Sequence, residues 1–88
     1  MRLRFRPFGA DLARYNRSYW RSFDEQPDGS ILVTYESPDL FWASGIALSY
    51  GSLAIVEEPA ELVQFMREEA HAILENYGRA ADGFLQTD

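Results

Sequence analysis

The opening run Met1-Arg2-Leu3-Arg4-Phe5-Arg6-Pro7 decides how the rest of the chain is read. Leu3 and Phe5 alternate with Arg2, Arg4 and Arg6, a period of two that puts the apolar pair on one face and the arginines on the other. This is the pattern of a half-buried strand. Pro7, which has no amide hydrogen to give a ladder, ends it. No apolar stretch follows the basic start, so the run is not a secretory signal and belongs to the folded domain.

Working outward from this strand, Gly9 to Tyr19 predicts a short helix, with Asp11 near its start and Arg14 and Arg17 toward its end, as the helix dipole prefers. Trp20 to Glu25 and Ser30 to Ser37 predict the two arms of a hairpin. Their connection, Gln26-Pro27-Asp28-Gly29, carries tight-turn chemistry. Ser37-Pro38-Asp39 predicts a helix start, with Ser37 as N-cap, proline at the first helical position and an acid in the first turn. That helix is expected to reach Tyr50 and stop at Gly51. Leu53 to Glu57 predicts a short strand. Glu58-Pro59-Ala60-Glu61 then opens the longest helix, whose apolar positions Leu62, Met66, Ala70, Ile73, Leu74 and Tyr77 keep near a 3.6 period up to Gly78.

The resulting order is β-α-β-β-α-β with one more helix. It predicts an α+β ferredoxin-like sandwich, an antiparallel sheet with helices on one face. A single domain is expected over residues 1–78 and a flexible tail over 79–88.

Composition agrees with one packed domain. At 88 residues there is room for no more, and 47 % hydrophobic with 15 % aromatic residues supplies a core that a disordered chain lacks. No apolar run approaches the ~18 residues of a membrane span. There is no cysteine, hence no disulfide framework and no thiolate chemistry, and a cytoplasmic address is expected. Charge is unevenly placed: residues 1–21 hold six arginines against Asp11, whereas residues 22–88 hold Arg67 and Arg79 against thirteen acids. The acidic total, −6, argues against general nucleic-acid binding by counterion release, while the basic first fifth leaves room for a local patch.

The ordered motifs resemble the C-terminal extension (WCX) domain of WYL-domain bacterial transcriptional regulators. The resemblance is carried by Phe5-Arg6-Pro7 at a strand end, Trp20 at the hairpin entry, Asp28-Gly29 before an apolar strand, and Pro38-Asp39-Leu40 opening a helix that finishes Leu48-Ser49-Tyr50-Gly51. It is completed by Ala54-Ile55-Val56-Glu57-Glu58-Pro59 with Glu61-Leu62. It covers residues 2–77, and its motifs are structural ones. The chain departs from it where family members often carry tryptophan, at Ile46; here Trp42 lies one turn earlier. The resemblance implies a regulatory or dimerisation module that is not an enzyme and binds no cofactor. Its implied partners are the WYL core and helix-turn-helix of a parent regulator and a second copy in a homodimer, with DNA met only through that missing N-terminal part and no membrane contact. The chain is thus expected to be either a domain cut from a longer protein, the favoured reading, or a stand-alone relative.

Residue by residue, little points to catalysis. His71 is the only histidine, and with no cysteine it makes a poor metal set, so a solvated helix position is expected and no metal. The serines lack a nucleophile-elbow motif, and no phosphate-cradling glycine loop occurs. Ser44-Gly45 and Gly51-Ser52 read as packing and capping, and Glu57 and Glu58 as complements of the last helix's N-terminus.

Two features remain as candidates. Arg2, Arg4 and Arg6 should form a stripe on the helix-free face of a central strand, about 6–7 Å apart. Three uses are open: pairing with Glu36, Asp24 or Glu57; contact with a WYL core or partner subunit; or holding a ligand or oligonucleotide, with Trp20 or Tyr35 to stack on it. The helix over 40–50 is apolar nearly all round, so it must be covered on more than one side. Phe41 and Trp42 are its interface candidates, should they prove exposed.

Overall fold

A computed structural model of the chain describes the backbone of residues 1–87 and the side chains of residues 1–78. Its elements are β1 (Arg2–Phe5), α1 (Ala10–Tyr15), β2 (Ser22–Glu25), β3 (Ile31–Thr34), α2 (Leu40–Tyr50), β4 (Ala54–Glu58) and α3 (Ala60–Thr87), with 3-10 turns at Pro7–Gly9, Arg17–Tyr19 and Gly51–Leu53. The four strands form one sheet in the order β2-β3-β1-β4, every pair antiparallel. With a helical crossover after β1 and another after β3, this is the expected ferredoxin-like arrangement. β1 is central. No helix among the described residues is long and apolar enough to cross a membrane.

The alternation in the opening run sets the core. Leu3 and Phe5 lie opposite Val33 and Ile31, so all four share one sheet face, and all four are fully buried. Ala10 and Ala13 of α1, Ala43 and Ala47 of α2, and Leu62 of α3 cover them. Trp20 closes the end of this core, with its ring against Phe5 and its Nε1 donating to the Ala13 carbonyl at 3.0 Å. Gly9 is needed for close approach, since a Cβ there would meet Leu53 Cβ at 2.9 Å and the Leu53 carbonyl at 3.1 Å.

Several boundaries differ from expectation. The first helix is not continuous to Tyr19. It ends at Asn16, whose amide donates to the Leu12 carbonyl, and a tight turn follows in which Tyr19 donates back to Asn16. That turn swings Trp20 into the core. The hairpin arms are shorter than predicted, with a ladder that pairs only Ser22–Glu25 with Ile31–Thr34. Its turn uses Gly29 at φ +90, a left-handed value glycine takes without steric cost. The cap of α2 is Asp39, not Ser37: the Asp39 carboxylate accepts from the Trp42 amide at 2.7 Å, a reach that suits an aspartate at the residue just before the first turn. Gly51 ends this helix as expected, at φ 57. Leu53 belongs to the 3-10 turn and not to β4. α3 does not close at Gly78: a glycine inside an exposed helix costs only about 1 kcal/mol relative to alanine, which a long helix tolerates. The tail expected over 79–88 falls outside the residues described with side chains.

Candidate functional site

The arginine-bearing face is shaped by one irregularity in β4. Leu3 pairs with Val56 but Arg2 pairs with Glu58, so Glu57 is an extra residue, a β-bulge. A bulge re-aims the side chains beside it. Here it brings two consecutive glutamates to the arginines: Arg2 lies 3.3 Å from Glu57 and 3.4 Å from Glu58. Arg4 Nε donates to Glu57 Oε2 at 2.6 Å, and its Nη1 donates to the buried Ser30 hydroxyl at 3.0 Å. Ser30 in turn gives both its hydroxyl and its amide hydrogen to Asp28 Oδ1, at 2.6 and 2.9 Å. These two bonds, with the Arg4 charge adding, hold the Asp28 carboxyl below the usual carboxylate range. Glu57 and Glu58 therefore serve the sheet face instead of complementing the α3 N-terminus.

The three arginines do not make one uniform stripe. Arg6 lies past the end of β1, with its guanidinium 4.6 Å from the centre of the Phe8 ring. Glu36 pairs with Arg21, not with the stripe. Trp20 packs on Phe5, and so lies on the opposite side of the sheet from Arg2 and Arg4; it offers no stacking platform to a ligand there. As arranged, this face binds itself: two guanidinium groups meet two carboxylates at β4.

α2 is arranged the other way about. Its buried positions are all small, Ala43, Ser44 and Ala47, which lets the helix sit close on the sheet. The large side chains of its first turn face out: Phe41 is 85 % exposed, Trp42 54 % and Leu40 41 %. Trp42 is nonetheless fixed at two points, its amide on Asp39 and its indole Nε1 donating to the Tyr35 hydroxyl at 3.0 Å. A hollow of about 260 Å³ lies among Phe41, Trp42, Gly45 and Ile46. A second, of about 310 Å³, runs between α2 and α3, with Phe41 and Leu40 on one wall and Leu62 and Phe65 on the other. Further along α3, Leu74 and Tyr77 are exposed too. Exposed apolar patches of the kind formed by Leu40, Phe41, Trp42 and Phe65 are the ones that protein contacts use.

Gly45, expected to be a packing residue, has no described residue within 4 Å of where its Cβ would be. A mid-helix glycine with no neighbour to accommodate is a cost without an internal return. It stands beside Phe41, Trp42 and Ile46, and it leaves a notch among them. Sequence reasoning missed this notch; the available signal was a glycine flanked on both sides by large apolar residues at helical spacing. Among the described residues, no group of acids and His71 could hold a metal ion.

Comparison with protein families finds a match over most of the chain. The model of the WCX domain fits residues 1–74 of the chain. No curated protein matches it.

Proposed function

The chain belongs to the WCX domain family, and from that premise we propose that it is the regulatory and dimerisation module of a WYL-type bacterial transcriptional regulator. In this role it has no catalytic chemistry and reads no DNA. The parent protein's helix-turn-helix does the reading, in the cytoplasm where its operator lies. The module fixes how two such heads are placed relative to one another, so that a ligand on the WYL core can change DNA affinity through a coupling between the two sites.

The observation that carries this reading is the outward face of α2, on which Phe41 and Trp42 flank the Gly45 notch. A two-fold contact needs a surface complementary to itself. Knob and notch on one helix satisfy that condition, since Phe41 of each copy can enter the notch of the other. The face also suits burial: no residue of α2 carries a charge, and aromatic side chains are the usual anchors of protein contacts.

The oligonucleotide reading of the Arg2, Arg4 and Arg6 face finds less support. Arg2 and Arg4 already face Glu57 and Glu58, so a phosphate would have to displace carboxylates to bind.

Sedimentation velocity of the chain tests the proposal. A dimer is expected, converting to monomer in Phe41→Ala and Trp42→Ala at the same concentration. A monomer at high concentration, or dimers unaffected by both changes, would rule out dimerisation through α2.

A further inference from the structure

A cavity of about 250 Å³ lies where the turn after α1, the end of β3 and the second half of α2 meet. Four of its five lining residues are aromatic: Tyr19, Trp20, Tyr35 and Tyr50, with Ile46 as the fifth. Trp20, almost wholly buried, is the floor. The rings of Tyr35 and Tyr50 stand on it, their centroids 6.2 and 6.1 Å from its own and their planes tilted by 76° and 48°. Tyr19, largely exposed, stands at the mouth.

The hydrogen bonds of the walls are specific. The Trp20 indole hydrogen is committed to the Ala13 carbonyl. The Tyr35 hydroxyl accepts from Trp42 Nε1, and the Tyr50 hydroxyl accepts from Asn16 Nδ2, each at 3.0 Å. A phenol that accepts one bond still has its own hydrogen to give. Among the described residues neither of these hydrogens has a protein acceptor. Burial pushes the Tyr50 phenol up, so it keeps its hydrogen at neutral pH.

We propose that this cavity binds a planar aromatic molecule of one or two rings that carries a carbonyl acceptor. The ring packs against Trp20 between the two tyrosines, an arrangement aromatic pairs favour over saturated groups. The carbonyl oxygen accepts from Tyr50, and Tyr35 is the second donor available to it. Size agrees: an apolar cavity of roughly 150 Å³ takes benzene, so this one takes a ring with a substituent or a fused pair. Because the Tyr35 hydroxyl also holds the Trp42 indole, an occupant here bears directly on a residue displayed by the outer face of α2.

Benzamide is a suitable probe, titrated into the whole chain while the Ile46 methyl and Trp20 and Trp42 indole resonances are followed by NMR. Saturable shifts at those groups are expected, with cyclohexanecarboxamide, which keeps the carbonyl but loses the planar ring, binding much more weakly. Tyr50→Phe keeps the ring and removes the donor, and should weaken benzamide about fivefold, the worth of one hydrogen bond. Unchanged Leu3 and Val33 methyl shifts verify that the variant is folded; if it is not, Tyr35→Phe replaces it. Absence of saturable shifts, an equal response to cyclohexanecarboxamide, or undiminished binding in the folded variant overturns the proposal.

Discussion

Gly9 and Asp28 each hold a joint that no other residue type holds as well. At Gly9 a side chain would collide with Leu53, part of it backbone that cannot turn away. Gly9→Ala is therefore expected to cost about 1–3 kcal/mol, the usual range for overpacking, read as a lowered urea midpoint with an unchanged m-value. Asp28 supplies a pH signature. Its carboxyl is held low by the Ser30 hydroxyl first, then by the Ser30 amide and the Arg4 charge, so the charged form is favoured in the folded state. Its stabilising contribution is present above the ordinary aspartate value near 3.9, and is lost as pH falls through the depressed one. Asp28→Asn keeps an acceptor but not the charge. It should unfold at lower urea than the parent at pH 6, and the gap should close below about pH 4. A gap independent of pH would mean that the Ser30 bonds act without the charge.

At the scale of elements, α2 carries the functional reading, and Gly45 is where it can be probed most cleanly. Gly45→Ala introduces no clash with any described residue, so helix propensity alone predicts a monomer more stable by about 0.5–1 kcal/mol. If the notch receives Phe41 of a second copy, the same change weakens the dimer. Thermal melting of dilute protein and a dilution series would show these opposite signs; a variant more stable and equally dimeric would show the notch to be unused. The sequence made most of this element legible, and most of the sheet, because periods of two and of 3.6 are written directly in the residues. Three things were not legible. The bulge at Glu57 depends on how β4 pairs with β1, which no local pattern records. The break at Asn16 competes with a helix by only a turn's worth of hydrogen bonds. And an all-round apolar helix does not say which side is covered, since the burial of Ala43 and Ala47 and the exposure of Phe41 and Trp42 reverse what size alone would favour. The arginine stripe was placed on a central strand, but its neutralisation by two glutamates required that same bulge.

The molecule as a whole adds an electrostatic condition. Each copy carries a formal charge of −6, while α2 itself has no charged residue, so in the proposed dimer two copies would meet through a neutral face against a background of like charge. Salt screens that repulsion, with a Debye length near 8 Å at physiological strength. Dimer affinity should therefore rise as salt is added, the reverse of what phosphate binding by arginines gives. The most direct test of the central claim is an isotope-filtered NOE experiment on a mixed sample of labelled and unlabelled chains. Intermolecular contacts from the Phe41 ring and Trp42 indole to Gly45 and Ile46 of the other copy are predicted. A dimer whose intermolecular contacts all lie elsewhere, or a chain that gives none at millimolar concentration, would contradict it.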